Sequence, residues 1–125
     1  MNRALKALLI SSAVVALALF ALGYQSLPGM CANSLSASKT SPDGQWKVVL
    51  FERGCGATTG YSTQISLLQA TDSLANESGN VFVAEGQPIG YGLAWESSST
   101  VVVRGNGSRS FKQEPAVSGI AFKYE

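Results

Sequence analysis

The sequence predicts an all-β domain, a small antiparallel sheet folded as a sandwich or a partly open barrel, which follows an N-terminal hydrophobic helix. Six short apolar segments are separated by turn signals of the Pro-Asp-Gly and Asn-Gly kind. Beyond residue 23 no segment shows the 3.6-residue period of an amphipathic helix. Residues 24–125 are enough for one domain with a single core.

The N-terminal segment is a targeting or anchoring element. Arg3 and Lys6 precede an uncharged run over residues 7–23. This run is longer than most signal-peptide apolar regions but shorter than the roughly 20 residues that a spanning helix needs. A cleaved signal peptide and a retained single-pass anchor both stay open. Because the basic residues hold the amino terminus in the cytoplasm, either one exports the rest, to the periplasm or to the outer side of the inner membrane.

Three regions follow from this pattern: a signal peptide or anchor over residues 1–23, a linker over residues 24–37 and an exported β domain over residues 38–125. The linker contains Leu27-Pro28-Gly29 and many small residues, so we expect it to be irregular. Membrane contact is expected through the N-terminal segment alone, if that segment is not cleaved.

The two cysteines, Cys31 and Cys55, are predicted to form a disulfide, because they are an even pair in an exported chain. Closing a loop of about 24 residues stabilises a fold by roughly 3 kcal/mol in the chain-entropy model. A redox-active or nucleophilic cysteine is the alternative, but the chain lacks a Cys-x-x-Cys spacing and has no histidine for a Cys-His pair. The residues before Cys31 do not match a lipobox, so lipidation is not preferred.

The predicted strands begin with residues 46–53, after a tight turn at Ser41-Pro42-Asp43-Gly44. This strand is apolar on both faces, which indicates a buried central strand. Residues 61–68 alternate, with Ile65 and Leu67 on one face and Gln64 and Ser66 on the other, which predicts a half-exposed strand. The further predicted strands span residues 80–85, 89–96, 100–104 and 120–125.

The composition excludes several kinds of function. With no histidine, a Ser-His-Asp or Cys-His site cannot form within one chain, and the commonest ligand of zinc and copper is missing. Without Arg3 and Lys6, seven basic residues stand against eight acidic ones, so nothing favours nucleic acid. We predict no enzyme, no cofactor and no metal site.

Three motifs resemble a family of small bacterial exported or membrane-anchored proteins of unknown function. They are the Ser-Pro-x-Gly turn at residues 41–44, the Gly-Ala-Thr-Thr stretch at residues 56–59 and the Trp-x4-Thr-Val hairpin at residues 95–101. The resemblance implies an exported bacterial β domain and supplies no activity. Cys55 departs from it, because relatives often have glycine there.

The glycine-rich loop over residues 54–60 is the first candidate site. Its backbone N–H groups, with the hydroxyls of Thr58 and Thr59, are able to form an anion-binding nest. It is not a phosphate-binding P-loop, because no Lys-Ser/Thr and no helix follow. The preferred interpretation is structural: a wide strand connection that accommodates the disulfide.

Aromatic side chains supply the remaining candidates. Tyr61, Tyr91 and Trp95 are interface anchors or stacking surfaces in the functional interpretation, and core residues in the structural one, which is preferred. From these observations we predict a non-enzymatic domain that contacts an envelope protein, in the manner of an inhibitor or immunity protein. The alternative is a module that binds a small molecule or a carbohydrate.

Overall fold

The computed structural model describes residues 2–26, 30–56 and 59–125. Its first element, α1, is an α-helix over Arg3–Ser26, whose 24 residues give a length of about 36 Å at about 1.5 Å per residue. This exceeds the hydrocarbon thickness of a bilayer, about 30 Å. The side chains of residues 3–20 are exposed in the isolated chain, as expected of an apolar signal or anchor.

The remaining described chain forms two packed β-sheets, which confirms the predicted all-β sandwich. The first sheet has the order β1-β2-β3-β4-β7 and the second has the order β5-β6-β9-β8. Strands β6 and β9 pair in parallel, and the other described pairs are antiparallel. The strands are β1 Ala32–Thr40, β2 Trp46–Gly54, β3 Tyr61–Gln69, β4 Phe82–Glu85, β5 Gly92–Ser97, β6 Thr100–Arg104, β7 Ser110–Gln113, β8 Ala116–Val117 and β9 Ile120–Tyr124.

The core lies between the two sheets. Strand β2 carries four consecutive buried residues, as predicted for a central strand, and lies between β1 and β3. Packing one sheet on the other removes this apolar surface from water, which is the main source of stability in such a fold. The buried cluster consists of Val48, Leu50, Ile65, Leu67, Val81, Phe82, Ala84, Leu93, Val101, Val103, Ile120 and Phe122.

The segment predicted as an irregular linker differs from the prediction in its second part. Residues 32–37 form the first two thirds of β1, which pairs with β2 along its length and has an irregularity between Leu35 and Ala37. This strand cannot be recognised from the sequence, because an edge strand that is exposed on most of its surface needs no alternation of apolar and polar residues. The folded domain therefore begins at Ala32 and not at residue 38.

The turn before β2 is built by its own side chains. The Ser41 hydroxyl donates to a carboxylate oxygen of Asp43 (2.6 Å) and accepts from the Trp46 amide (3.0 Å). The Asp43 carboxylate also accepts from the Gln45 amide (3.1 Å). The hydrogen bond from Ser41, followed by that from Gln45, lowers the pKa of Asp43. The predicted turn therefore starts β2, as expected.

Strand β3 is not half-exposed, and this corrects the prediction. Gln64 and Ser66 point to the face opposite the core, yet both are 4% exposed. A covering segment, residues 70–80, crosses this outer face and satisfies the polar groups there. The Gln64 side-chain oxygen accepts from the Gly79 amide (2.6 Å) and the Ser78 hydroxyl (3.0 Å). The polar residues that alternate along β3 thus face a hydrogen-bonded segment of the chain and not solvent.

The covering segment is fastened to the sheet edge by three polar side chains. The Arg53 guanidinium donates to the side-chain oxygens of Asn33 (2.8 Å) and Asn76 (3.0 Å). The Asn33 amide donates to the carbonyls of Ala75 and Glu77. Val49 and Phe51, paired in register with Ser66 and Gln64 on this face, are buried as a result.

Candidate functional site

The disulfide joins Cys31, directly before β1, to Cys55, directly after β2. This confirms the predicted pairing and ties the start of the β domain to its glycine-rich loop. The Cys31 carbonyl also accepts a hydrogen bond from the Asn76 side chain (2.9 Å). The disulfide and the covering segment are thus linked through Asn76.

Of the two threonines proposed for the loop, Thr58 lies outside the described residues. The Thr59 hydroxyl donates to the Gly56 carbonyl (3.1 Å), and the Thr59 amide donates to the same oxygen (3.3 Å). Both donors therefore close a local turn, which agrees with the structural interpretation of Thr59.

Beside this loop lies an exposed patch that we call the Tyr61 patch. Tyr61 is 54% exposed and Met30 is 79% exposed. A Cβ atom placed on Gly54 would lie 3.0 Å from Cε1 of Tyr61, and one on Gly56 would lie 3.2 Å from Cε of Met30. Glycine at these two positions lets the large side chains lie close to the backbone. The patch consists of Met30, Ala32, Ser34, Glu52, Gly54, Gly56 and Tyr61.

The Tyr61 patch lies on the same face of the first sheet as the core residues. It occupies the part of that face that the second sheet does not cover. By register, Tyr61 lies beside Gly54 on the face that carries Leu50 and Ile65. Those two residues are buried under the second sheet, whereas Ala32 and Ser34 on β1 are exposed. The end of the first sheet near the disulfide is therefore an uncovered sheet surface on which apolar and polar groups are mixed.

The other two predicted aromatic residues do not join the Tyr61 patch. Tyr91 is half-buried and packs edge-on against Phe82, with ring centroids 5.9 Å apart. Trp95 is half-buried against the core, and its indole N–H donates to the Lys39 carbonyl on β1 (2.8 Å). Tyr91 and Trp95 thus follow the structural interpretation more closely than Tyr61 does.

The structure does not gather the carboxylates that a hydrolytic site would use. Glu52 and Glu85 lie on opposite faces of the first sheet, because their register partners on β3 are the neighbours Thr63 and Ser62. Glu96 lies on the second sheet and pairs with Lys123 at 3.1 Å. Within residues 2–26, 30–56 and 59–125, no three His, Cys, Asp or Glu side chains are grouped to hold a metal ion.

Two features of this region were not predicted. Met30 falls within the predicted linker, and its exposure close to Gly56 follows from the fold and not from a local pattern. No contact is predicted for Asn76 from the sequence. Its side chain instead bonds to Arg53 and to the Cys31 carbonyl, which no local pattern in the sequence reveals.

Comparisons with protein-family models, with curated proteins and with solved structures found no match. The resemblance carried by the three motifs therefore stays a prediction.

Proposed function

We propose that this protein is a non-enzymatic, exported domain that acts by binding another protein at the cell envelope through the Tyr61 patch. One observation carries the proposal: Tyr61 and Met30 are both exposed, and they lie close to Gly54 and Gly56, at the end of the first sheet that the second sheet leaves uncovered. Exposed aromatic and long apolar side chains on an uncovered sheet surface are typical of contact sites.

The composition of the patch suits a protein partner. Tyrosine is among the residues that contribute most to protein interfaces, and methionine adapts to irregular surfaces. Fully covering a side chain such as Met30 contributes about 1.5–3 kcal/mol. Glu52 gives the rim a single negative charge among the patch residues. A complementary partner surface is therefore apolar at its centre, with a basic or hydrogen-bonding group opposite Glu52.

The patch is also held in place before binding. In the chain, the disulfide cysteines directly follow Met30 and Gly54, so their bond holds the patch residues of β1 and β2 together. On the opposite face of the same strands, the hydrogen bonds of Arg53, Asn33 and Asn76 fasten the covering segment. A surface that is already ordered loses little conformational entropy on association, and this improves affinity.

The N-terminal helix and the disulfide support an exported location. Five residues, 27–31, separate the helix end at Ser26 from β1 at Ala32. Six extended residue steps reach at most about 22 Å. If the helix is retained as an inner-membrane anchor, the Tyr61 patch stays near the membrane on its periplasmic side. The proposed partner is then a protein of that compartment, and the most specific form of the proposal is an inhibitor or immunity protein.

The alternative of a carbohydrate-binding module is less well supported. It requires Tyr61, Tyr91 and Trp95 to present stacking faces on a common surface, whereas each contacts a different part of the fold. Small-molecule binding is supported by a cavity of about 200 Å³ that Tyr91 lines together with Phe82 and Tyr124.

The proposal is tested by substituting Tyr61 and measuring partner capture from envelope extracts with the oxidised protein. We expect Tyr61→Ala to reduce retention of a specific partner at least tenfold, which corresponds to 1.4 kcal/mol. Phe111→Ala is the matched control, because Phe111 is 60% exposed but lies on the far edge strand β7. Equal retention by wild type and Tyr61→Ala would refute the assignment of the patch.

A further inference from the structure

A cavity of about 200 Å³ lies between the two sheets, separate from the Tyr61 patch. Its floor is formed by β4, β6 and β9, and its rim by the turn over residues 105–108. This volume is below the 300–1,000 Å³ of sites for drug-sized ligands, so it suits only a small molecule or headgroup. The lining residues are Phe82, Tyr91, Val103, Gly105, Asn106, Gly107, Ser108, Gln113, Tyr124 and Glu125.

Three aromatic rings meet in this lining. The Phe82 and Tyr124 rings are stacked, with centroids 5.9 Å apart and an interplanar angle of 27°. The Tyr91 ring is inclined at 63° to Phe82, also at 5.9 Å. Phe82 is buried against both tyrosine rings, so the half-buried rings of Tyr91 and Tyr124 supply the aromatic surface that the cavity exposes. The negative face of an aromatic ring attracts cations within about 6 Å of its centroid.

The rings are fixed by the surrounding fold. The Tyr124 hydroxyl donates to the Glu114 carbonyl (2.7 Å), and Phe82 is 3% exposed. On the rim, the Asn106 side chain donates to the Ile89 carbonyl and accepts from the Ser108 amide, each at 2.9 Å. These contacts hold the lining of the cavity in place.

The charge of the lining favours a cation over an anion. Among the described lining residues the one charged side chain is Glu125. Its carboxylate lies 3.8 Å from the Arg104 guanidinium, and both side chains are more than half exposed. Water screens an exposed pair of this kind, so Arg104 competes for Glu125 but does not close its carboxylate to a second cation.

We propose that this cavity binds a small organic cation, of the quaternary ammonium class, against Tyr91 and Tyr124 with Glu125 as its counter-charge. The inference is independent of the proposed protein contact, since the two sites share no residue. A quaternary ammonium fits because it presents methyl groups to the rings and carries a charge that needs no hydrogen-bond partner.

The test measures binding of choline to the full-length protein in maltoside micelles, by the movement of amide signals of residues 105–108 in ¹H–¹⁵N spectra. The decisive comparison is 3,3-dimethylbutan-1-ol, the neutral molecule of the same shape. We expect choline to bind about 2- to 30-fold more tightly, which is the range of one cation–aromatic contact. Equal binding of the two, or no signal movement with choline at 50 mM, would overturn the proposal.

Two rim variants test the charge without disturbing the walls. Glu125→Gln removes the counter-charge and is expected to weaken choline binding, whereas Arg104→Gln removes the competing cation and is expected to strengthen it. Tyr91→Leu removes one wall and is expected to reduce the preference for choline over its neutral analogue. If Tyr91→Leu does not fold, the opposite effects of Glu125→Gln and Arg104→Gln on choline affinity still test the proposal. Equal affinity in both rim variants would contradict the role of Glu125.

Discussion

The covering segment makes Gln64 a structural residue, and Gln64→Leu is the variant that tests this. Gln64 makes three hydrogen bonds: its oxygen accepts from the Gly79 amide and the Ser78 hydroxyl, and its amide donates to the Ser62 hydroxyl (2.8 Å). Leucine has a similar size but makes none of them. The buried Gly79 N–H would then have no partner.

The expected loss of stability follows from these three bonds. A buried, unpaired N–H costs about 1–3 kcal/mol. Ser62 is half-buried and Ser78 is exposed, so water can replace Gln64 there and each bond contributes only about 0.5 kcal/mol. We therefore expect Gln64→Leu to lower the free energy of unfolding by about 2–4 kcal/mol, a large part of the 5–15 kcal/mol typical of a domain.

Urea unfolding followed by circular dichroism measures this loss. With a slope of about 2 kcal/mol per molar urea, the midpoint should fall by roughly 1–2 M. Gln69→Leu is the matched control, because Gln69 is exposed at the end of the same strand, and we expect it to stay within about 0.5 kcal/mol of wild type. A Gln64→Leu protein as stable as Gln69→Leu would refute the hydrogen-bonded cover of β3.

Two further predictions concern the disulfide and pH. Reduction of the Cys31–Cys55 bond should lower the melting temperature while the β spectrum is kept, because β1 and β2 still pair, at a cost of up to about 3.5 kcal/mol in the chain-entropy model; an unchanged melting temperature would contradict this. Burial, followed by the Glu114 charge, raises the pKa of Tyr124 to about 12. This contribution to stability is fully present below pH 10 and is lost as the pH rises to about 12. Between pH 10 and pH 12, Tyr124→Phe should therefore lose less free energy of unfolding than wild type. Identical losses in the two proteins would contradict this prediction.

Much of the fold follows from local patterns in the sequence. The apolar run of β2 and the Ser-Pro-Asp-Gly turn that starts it both depend on neighbouring residues alone, so their signals are strong. The two cysteines and the N-terminal apolar helix were likewise predictable from compartment and composition.

The parts that were missed depend on contacts between distant residues. Strand β1 has few apolar residues, and its pairing with β2 comes from the backbone and the disulfide. The burial of Gln64 depends on Gly79, fifteen residues away, and no period within β3 reports it. The short strands β7 and β8 have too few residues to show alternation.

The candidate site was predictable only in part. Tyr61 and the disulfide were named from the sequence, but the exposure of Tyr61 results from where the second sheet ends, which is a property of the whole fold. Met30 joins the patch because Cys31 is tied to Cys55 beside Gly56.

The most direct test of the central claim is photocrosslinking in the native host cells, with p-benzoylphenylalanine placed at position 61 of the full-length protein. Position 69, at the other end of β3 and about 26 Å away at 3.3 Å per residue, is the matched control. We predict one discrete protein adduct from position 61 and none from position 69. The same adducts from both positions, or no adduct from position 61, would contradict a contact through the Tyr61 patch.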